Sequence, residues 1–133
     1  MPRPTIDAVA VSATDMERSI AFYALLGFDF DGEGAFISDE HVEPVRAAGE
    51  PRLMIDAAAL MEKLTGERPH APNHSVFAML CDRPAEVDRV ARDVAAQGHE
   101  VITAPWDAFW GQRYATVADP DGYRIDLFAA LRG

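Results

Sequence analysis

The residues best suited to chemistry in this chain are aromatic, and they concentrate in one run: Pro105-Trp106-Asp107-Ala108-Phe109-Trp110-Gly111-Gln112-Arg113-Tyr114-Ala115. Trp106 and Trp110 stand four residues apart, with Phe109 between them. Pro105 and Gly111 argue against a continuous helix, so the run reads as a loop at a cavity mouth. Two indoles there can clamp a planar or conjugated ligand, each good stack adding roughly 0.5–1.5 kcal/mol beyond the area buried. Phe36, Met54 and Phe128 are further wall candidates, the flexible thioether of Met54 being able to follow a ligand's shape. Arg113, Tyr114 and Asp126 are the polar candidates that would orient a ligand's heteroatoms. The structural alternative is one indole in the core and the other packed on a partner chain.

Other reaction machinery is not evident. The sequence contains no phosphate-cradling glycine loop, no metalloprotease histidine pair and no nucleophile elbow. Carboxylates are abundant, but no pair is spaced for acid–base work. Cys81, the single cysteine, ends an apolar run and reads as an inert buried thiol. His41, His70 and His99 fall in loop-like or strand-edge contexts and read as solvated histidines.

The elements that must position these residues follow a repeating order. Alternation over residues 6–11 predicts a first strand. Thr14-Asp15-Met16-Glu17 has the form of a capping box, followed by a helix whose buried stripe is Met16, Ile20, Tyr23 and Leu26. Gly27 supplies the left-handed stop. Short strands are expected over 28–31, 35–38 and 52–55. Asp56 then caps a short helix carrying Leu60, Met61 and Leu64, with Gly66 after it. A polar segment with Pro69 and Pro72 reads as a linker over 66–73.

The order then recurs. Residues 75–81 read as a strand, and Asp82 or Arg83 caps a helix with Pro84 in its first turn. Val87, Val90, Val94 and Ala95 form one face of that helix, and Gly98 ends it. Strands over 100–103, 114–118 and 123–128 complete the series, with Asp119-Pro120-Asp121-Gly122 as a tight turn. The expectation is a single α+β domain of two βαβββ repeats, residues 1–65 and 74–133, whose curved mixed sheets surround a cavity. One helix per four strands leaves the second face of each sheet open, which curvature around a ligand or partner would cover.

At 133 residues the chain has room for one domain, and a chain of that size buries roughly two-thirds of the area exposed when unfolded. Its 22 acidic residues against 12 basic give a formal net charge of -10. That field opposes binding to nucleic acid or anionic membrane and favours neutral or cationic ligands. No apolar stretch approaches the roughly 20 residues of a membrane span. The start, Met1-Pro2-Arg3-Pro4-Thr5, lacks a signal-peptide h-region. With a lone cysteine, this predicts a cytoplasmic protein.

Two segments resemble a known family. Asp15-Met16-Glu17-Arg18-Ser19-Ile20-Ala21-Phe22-Tyr23, with Leu25-Leu26-Gly27-Phe28 after it, is similar to the first helix of the vicinal oxygen chelate superfamily. Asp119-Pro120-Asp121-Gly122-Tyr123-Arg124-Ile125-Asp126-Leu127 resembles its closing hairpin. The superfamily contains glyoxalase I, extradiol dioxygenases, fosfomycin-resistance enzymes and bleomycin-resistance proteins, so the resemblance implies their fold. The Trp106–Tyr114 run is similar to one in the mitomycin-resistance protein, a metal-free member that sequesters a drug.

Metal-dependent members hold a divalent ion with inward-facing strand residues, often His, His and Glu. Carried over, those positions fall at Ala8, at Ser75 (or His74, one residue away) and at Asp126. Alanine cannot ligate, and a one-residue slip reverses the face of a strand, so Asp7 and His74 are not both recoverable. The resemblance therefore implies a metal-independent binding protein for an aromatic antibiotic or related natural product, with no cofactor. The alternative is a glyoxalase-type lyase, isomerase or dioxygenase with a divalent metal. Members commonly form homodimers, and the same is expected here.

Overall fold

The computed structural model describes residues 3–132. Met1 and Pro2, which open the segment read for a leader, lie outside the described residues, as does Gly133. The first half comprises β1 (Ala8–Ala13), α1 (Met16–Leu25), β2 (His41–Val42), β3 (Arg52–Ala57) and α2 (Ala58–Thr65). The second comprises β4 (Ser75–Leu80), α3 (Pro84–Ala96), β5 (Glu100–Ala108), β6 (Gln112–Ala118) and β7 (Arg124–Ala130). The fold is the expected α+β arrangement with two small mixed sheets. Strand order is β1-β3-β2 in one sheet and β4-β7-β6-β5 in the other.

The halves share their parallel pairing but not their strand count, three strands in the first sheet and four in the second. In each, the strand before the helix pairs in parallel with the last strand of its half, β1 with β3 and β4 with β7. Each helix ends at a glycine in the left-handed region, Gly27 at φ 104° and Gly98 at φ 83°, where a Cβ would be strained. Val11, Leu53 and Ile55 of the first sheet and Ile125, Leu127 and Ala129 of the second alternate with less buried neighbours. They join Phe22 and Tyr23 of α1 and Val87, Val90 and Val94 of α3 in one core. Period-two burial thus assigns one face of each sheet to the helices and leaves the other open.

The halves are also joined by polar contacts. The buried Tyr23 hydroxyl donates to Asp119 Oδ2 at 2.7 Å, and Thr14 donates through its backbone N–H and its hydroxyl to the Asp121 carboxylate. Phe22 meets the His99 ring edge-on at 5.1 Å. His99 is therefore a packed residue, its pKa lowered by burial and by Arg18.

Several expectations are corrected. The expected strand at 28–31 does not form, because Asp29 Oδ1 accepts from the backbone of Asp31 and Gly32 and folds the segment on itself. The strand expected at 35–38 shrinks to a single bridge between Phe36 and Glu43, and the short β2 takes up pairing with β3 instead. Asp15, not Thr14, caps α1 by accepting from Arg18 N, since the Thr14 hydroxyl is engaged by Asp121. The stripe of α1 is centred on Ser19, Phe22 and Tyr23, with Met16, Ile20 and Leu26 only partly buried. Asp56 caps nothing: it lies in β3, and the N-cap of α2 is Ala57. On α3 the buried alanine is Ala91, whereas Ala95 is exposed.

The largest difference concerns the aromatic run. Residues 105–108 are strand, not loop, and only Phe109, Trp110 and Gly111 form the hairpin turn into β6. Pro105 is accommodated because β5 is the sheet's edge and the ladder shifts register between Thr103 and Trp106. Gly111 closes a three-residue turn at φ 92°, its N–H donating to Ala108 O. No helix among the described residues is long and apolar enough to cross a membrane.

Candidate functional site

Pairing register places Trp106 opposite Tyr114, Tyr114 opposite Phe128, and Thr116 opposite Asp126. Partners directly opposed in an antiparallel ladder project to the same face. Trp106, Tyr114, Thr116, Asp126 and Phe128 therefore share the open face of the second sheet, joined from β4 by Ala78 and Leu80. The hairpin turn lays Trp110 over this face. Its ring lies 5.3 Å from Tyr114 and 5.6 Å from Trp106, both edge-on, with Phe109 at 4.9 Å on the outside, so the two indoles pack on each other at right angles and do not form the expected clamp around a planar ligand. The indole N–H of Trp110 donates to Gln112 Oε1 at 2.7 Å, fixing the ring. Trp106 is 40% exposed and Trp110 48%, so the platform is open to solvent.

Asp126 sits beside the aromatic platform. Its Oδ1 accepts from the hydroxyls of Thr116, at 2.8 Å, and Ser75, and its Oδ2 accepts from the Tyr114 hydroxyl. Partial burial and the bond to Asp126 push the Tyr114 phenol up to about 12. At neutral pH the phenol is thus a proton donor to a carboxylate, not a base.

The other predicted residues are placed differently. Arg113 neighbours Tyr114 in a strand and so projects to the opposite face. There it bonds Asp88 of α3 at 3.0 Å and Asp107 at 3.0 Å. It cannot orient a ligand on the open face, and its contribution is to tie β5 and β6 to α3. Phe36 and Met54 belong to the first sheet, Met54 on its open face and Phe36 in the bridge beside β2.

That first face carries a polar network that sequence reasoning missed. His41 was expected to be solvated. It is half-buried, with Nδ1 at 2.6 Å from Asp56 and Nε2 at 2.6 Å from Glu43. Arg52 bonds Glu43 at 2.8 Å and Asp7 at 2.7 Å. The bonds to Asp56 and Glu43 raise the His41 pKa. Burial opposes ionisation of Glu43, yet His41 and Arg52 prevail and hold it below the usual carboxylate range. Alternation of His41 and Glu43 about the buried Val42 was the available signal, but it needed the pairing with β3 to bring in Asp56.

The positions that hold a metal in related folds do not fit one here. Ala8 has no donor and Asp7 is engaged by Arg52. The Ser75 hydroxyl is directed at Asp126, and the exposed His74 turns Nδ1 to its own neighbour's carbonyl at 3.0 Å. Among the described residues no three His, Cys, Asp or Glu side chains form a metal-binding group. Cys81 is half-buried, and burial pushes its thiol pKa up. An apolar groove of about 340 Å³ runs between the edge strands β1 and β4, lined by Val9, Leu53, Phe77, Met79 and Leu80.

Comparison with known proteins agrees with this architecture. The chain's fold is similar to that of a glyoxalase/bleomycin resistance protein/dioxygenase from Nocardioides, with 24% identity over 100% of this chain and 87% of that one and a TM-score of 0.70. A glyoxalase-related enzyme from Fulvimarina pelagi gives a TM-score of 0.79 at 17% identity, over 94% and 87% of the two chains. Lactoylglutathione lyase from Agrobacterium tumefaciens gives 0.66 at 19% identity, over 97% and 96%. No curated protein sequence matches the chain. The family model for the Glyoxalase/Bleomycin resistance protein/Dioxygenase superfamily matches residues 5–127, and with the paired half-folds this establishes that the chain belongs to that superfamily.

Proposed function

We propose that this chain is a metal-independent binding protein that sequesters an aromatic antibiotic or related natural product. The observation that carries the reading is the Trp106–Trp110–Tyr114 platform, open to solvent on a sheet face whose carboxylate is bonded by hydroxyls rather than converging with other ligating side chains. Such a face selects by shape and stacking. The Trp106–Tyr114 run resembles one in the mitomycin-resistance protein, a resemblance that points to a subgroup more firmly than to a ligand. We place the protein in the cytoplasm and propose a homodimer, in which a second copy covers exposed sheet edges and completes the cavity around the open face rather than filling it.

Titration of the purified protein with mitomycin C and a panel of planar antibiotics, followed by tryptophan fluorescence, tests the proposal. Binding is expected to quench the indoles, and Trp110→Ala is expected to weaken it by about tenfold, the equivalent of one lost stack. Unchanged affinity in Trp110→Ala refutes the stacking mode. About one tightly held divalent ion per chain in elemental analysis, with chelation abolishing a glyoxalase-type lyase, isomerase or dioxygenase activity, would replace the proposal with the enzymatic alternative.

A further inference from the structure

The open face of the second sheet carries a charge without a counter-ion. Asp126 is only partly buried, and among the described residues no lysine, arginine or histidine pairs with it. The arginines of β6 and β7 have other partners. Arg113 is held by Asp88 and Asp107 on the far face, and Arg124 donates to Asn73 O at 3.0 Å. Hydroxyls alone support the carboxylate, and they leave its negative charge in place.

The count of acceptor sites sharpens the point. An ionised carboxylate offers about four lone-pair directions, two on each oxygen. Oδ1 receives both Ser75 and Thr116, whereas Oδ2 receives Tyr114 alone. One acceptor direction on Oδ2 is therefore unused, next to the phenol of Tyr114. Tyr114 in turn meets Trp110, and Trp110 meets Trp106. The faces of indole and phenol rings attract cations through their quadrupoles. A flat cation stacked on the Trp110 indole, with Tyr114 and Trp106 at right angles to it, can donate a hydrogen bond to Oδ2, and a neutral or anionic molecule of the same shape cannot gain as much. The chain's net charge of -10 acts in the same direction at longer range.

We infer that the site selects planar aromatic ligands bearing a protonated nitrogen, with Asp126 Oδ2 as the anchor for that nitrogen, Trp110 as the ring that stacks on the ligand and Tyr114 as the ring that meets its edge. This rests on the binding function proposed above and names its ligand class. It assigns Asp126 a role in recognising charge.

Three probes sharing one ring system separate charge from shape: 9-aminoacridine, protonated near neutral pH; acridine, neutral there; and acridine-9-carboxylate, an anion. Isothermal titration calorimetry on the intact protein is expected to rank them in that order. A hydrogen bond to a charged group contributes about 1.5–3 kcal/mol, so the aminoacridine should bind about tenfold to hundredfold more tightly than acridine. Asp126→Asn keeps the side-chain shape and should bring that ratio to within about twofold. Tyr114→Phe keeps the ring and releases a second acceptor direction on Oδ2, so the preference for the cation should persist or grow.

Equal affinity of the wild-type protein for aminoacridine and acridine overturns the inference and leaves the stacking function standing. So does an undiminished ratio in a folded Asp126→Asn variant, or loss of the preference in Tyr114→Phe. Failure of all three probes to bind the wild-type protein overturns both. Should Asp126→Asn not fold, the wild-type ranking and Tyr114→Phe decide the question.

Discussion

Replacing Tyr23 by Phe removes one oxygen from the junction between the halves and nothing else. The side chain is fully buried, and its ring keeps its edge contacts with Phe22 at 5.0 Å and Phe28 at 6.0 Å. The hydroxyl is the side-chain donor to Asp119 Oδ2, while Oδ1 receives the backbone N–H groups of Asp121 and Tyr123. Asp119 is 5% exposed, so water cannot readily take the donor's place. A hydrogen bond to a charged group contributes about 1.5–3 kcal/mol, and that is the expected cost near neutral pH. For a domain of this size it corresponds to a fall of roughly 5–12 °C in Tm. The cost should depend on pH. Burial raises the Asp119 pKa against the lowering effect of Tyr23 and the two backbone donors, so losing Tyr23 raises it further. A carboxyl with a raised folded-state pKa favours folding when protonated, and that benefit is lost as pH rises through the raised value. The deficit of Tyr23→Phe is therefore largest near pH 7 and shrinks as pH falls toward the ordinary aspartate value of about 3.9. Urea unfolding of both proteins at several pH values measures it. A cost below about 0.5 kcal/mol at neutral pH, or one unchanged on acidification, refutes the argument.

Two further perturbations test placements that differ from expectation. Bonds to Asp56 and Glu43 raise the His41 pKa, so its stabilisation is complete below the ordinary histidine value of about 6.5 and is lost as pH rises through the raised value. Wild-type stability should decline across that window, and His41→Gln should flatten the decline in the same unfolding experiment. Arg113→Ala should cost less than about 1 kcal/mol, since its partners are exposed ion pairs. Its affinity for planar probes should match wild type, whereas a Trp110-sized loss of binding would return Arg113 to the site.

What was legible in the sequence depended on local signals. Gly27 and Gly98, the Pro84 start of α3, the turn at Asp119-Pro120-Asp121-Gly122 and the alternation of β7 all act within a few residues, and each is in place. The misreadings share one cause: pairing partners decide the outcome. Residues 28–31 alternate like a strand, yet Asp29 satisfies its neighbours' N–H groups locally and no ladder forms. Pro105 and Gly111 look like breakers, but Pro105 lies on an edge strand and Gly111 builds a hairpin turn. Taking 105–108 as loop also concealed the phase of Arg113 and Tyr114. Once both are strand residues, adjacency forces them to opposite faces, and only Tyr114 can join Trp106. His41 escaped notice because its two carboxylate partners converge only through the β2–β3 ladder.

The two open faces show why one half is better suited to binding. The first sheet has three strands, and its face is occupied by charges that answer one another: His41 and Arg52 against Asp7, Glu43 and Asp56. Those groups satisfy each other's hydrogen bonds, so a guest would have to break ion pairs before gaining contacts of its own. The second sheet keeps four strands and presents the reverse condition. Leu80 is 74% exposed and the two indoles stand open beside an unpaired carboxylate. Apolar surface of that kind marks a surface that something covers. A planar cation there removes indole surface from water and neutralises the charge in one step, and neither gain requires an existing contact to be given up.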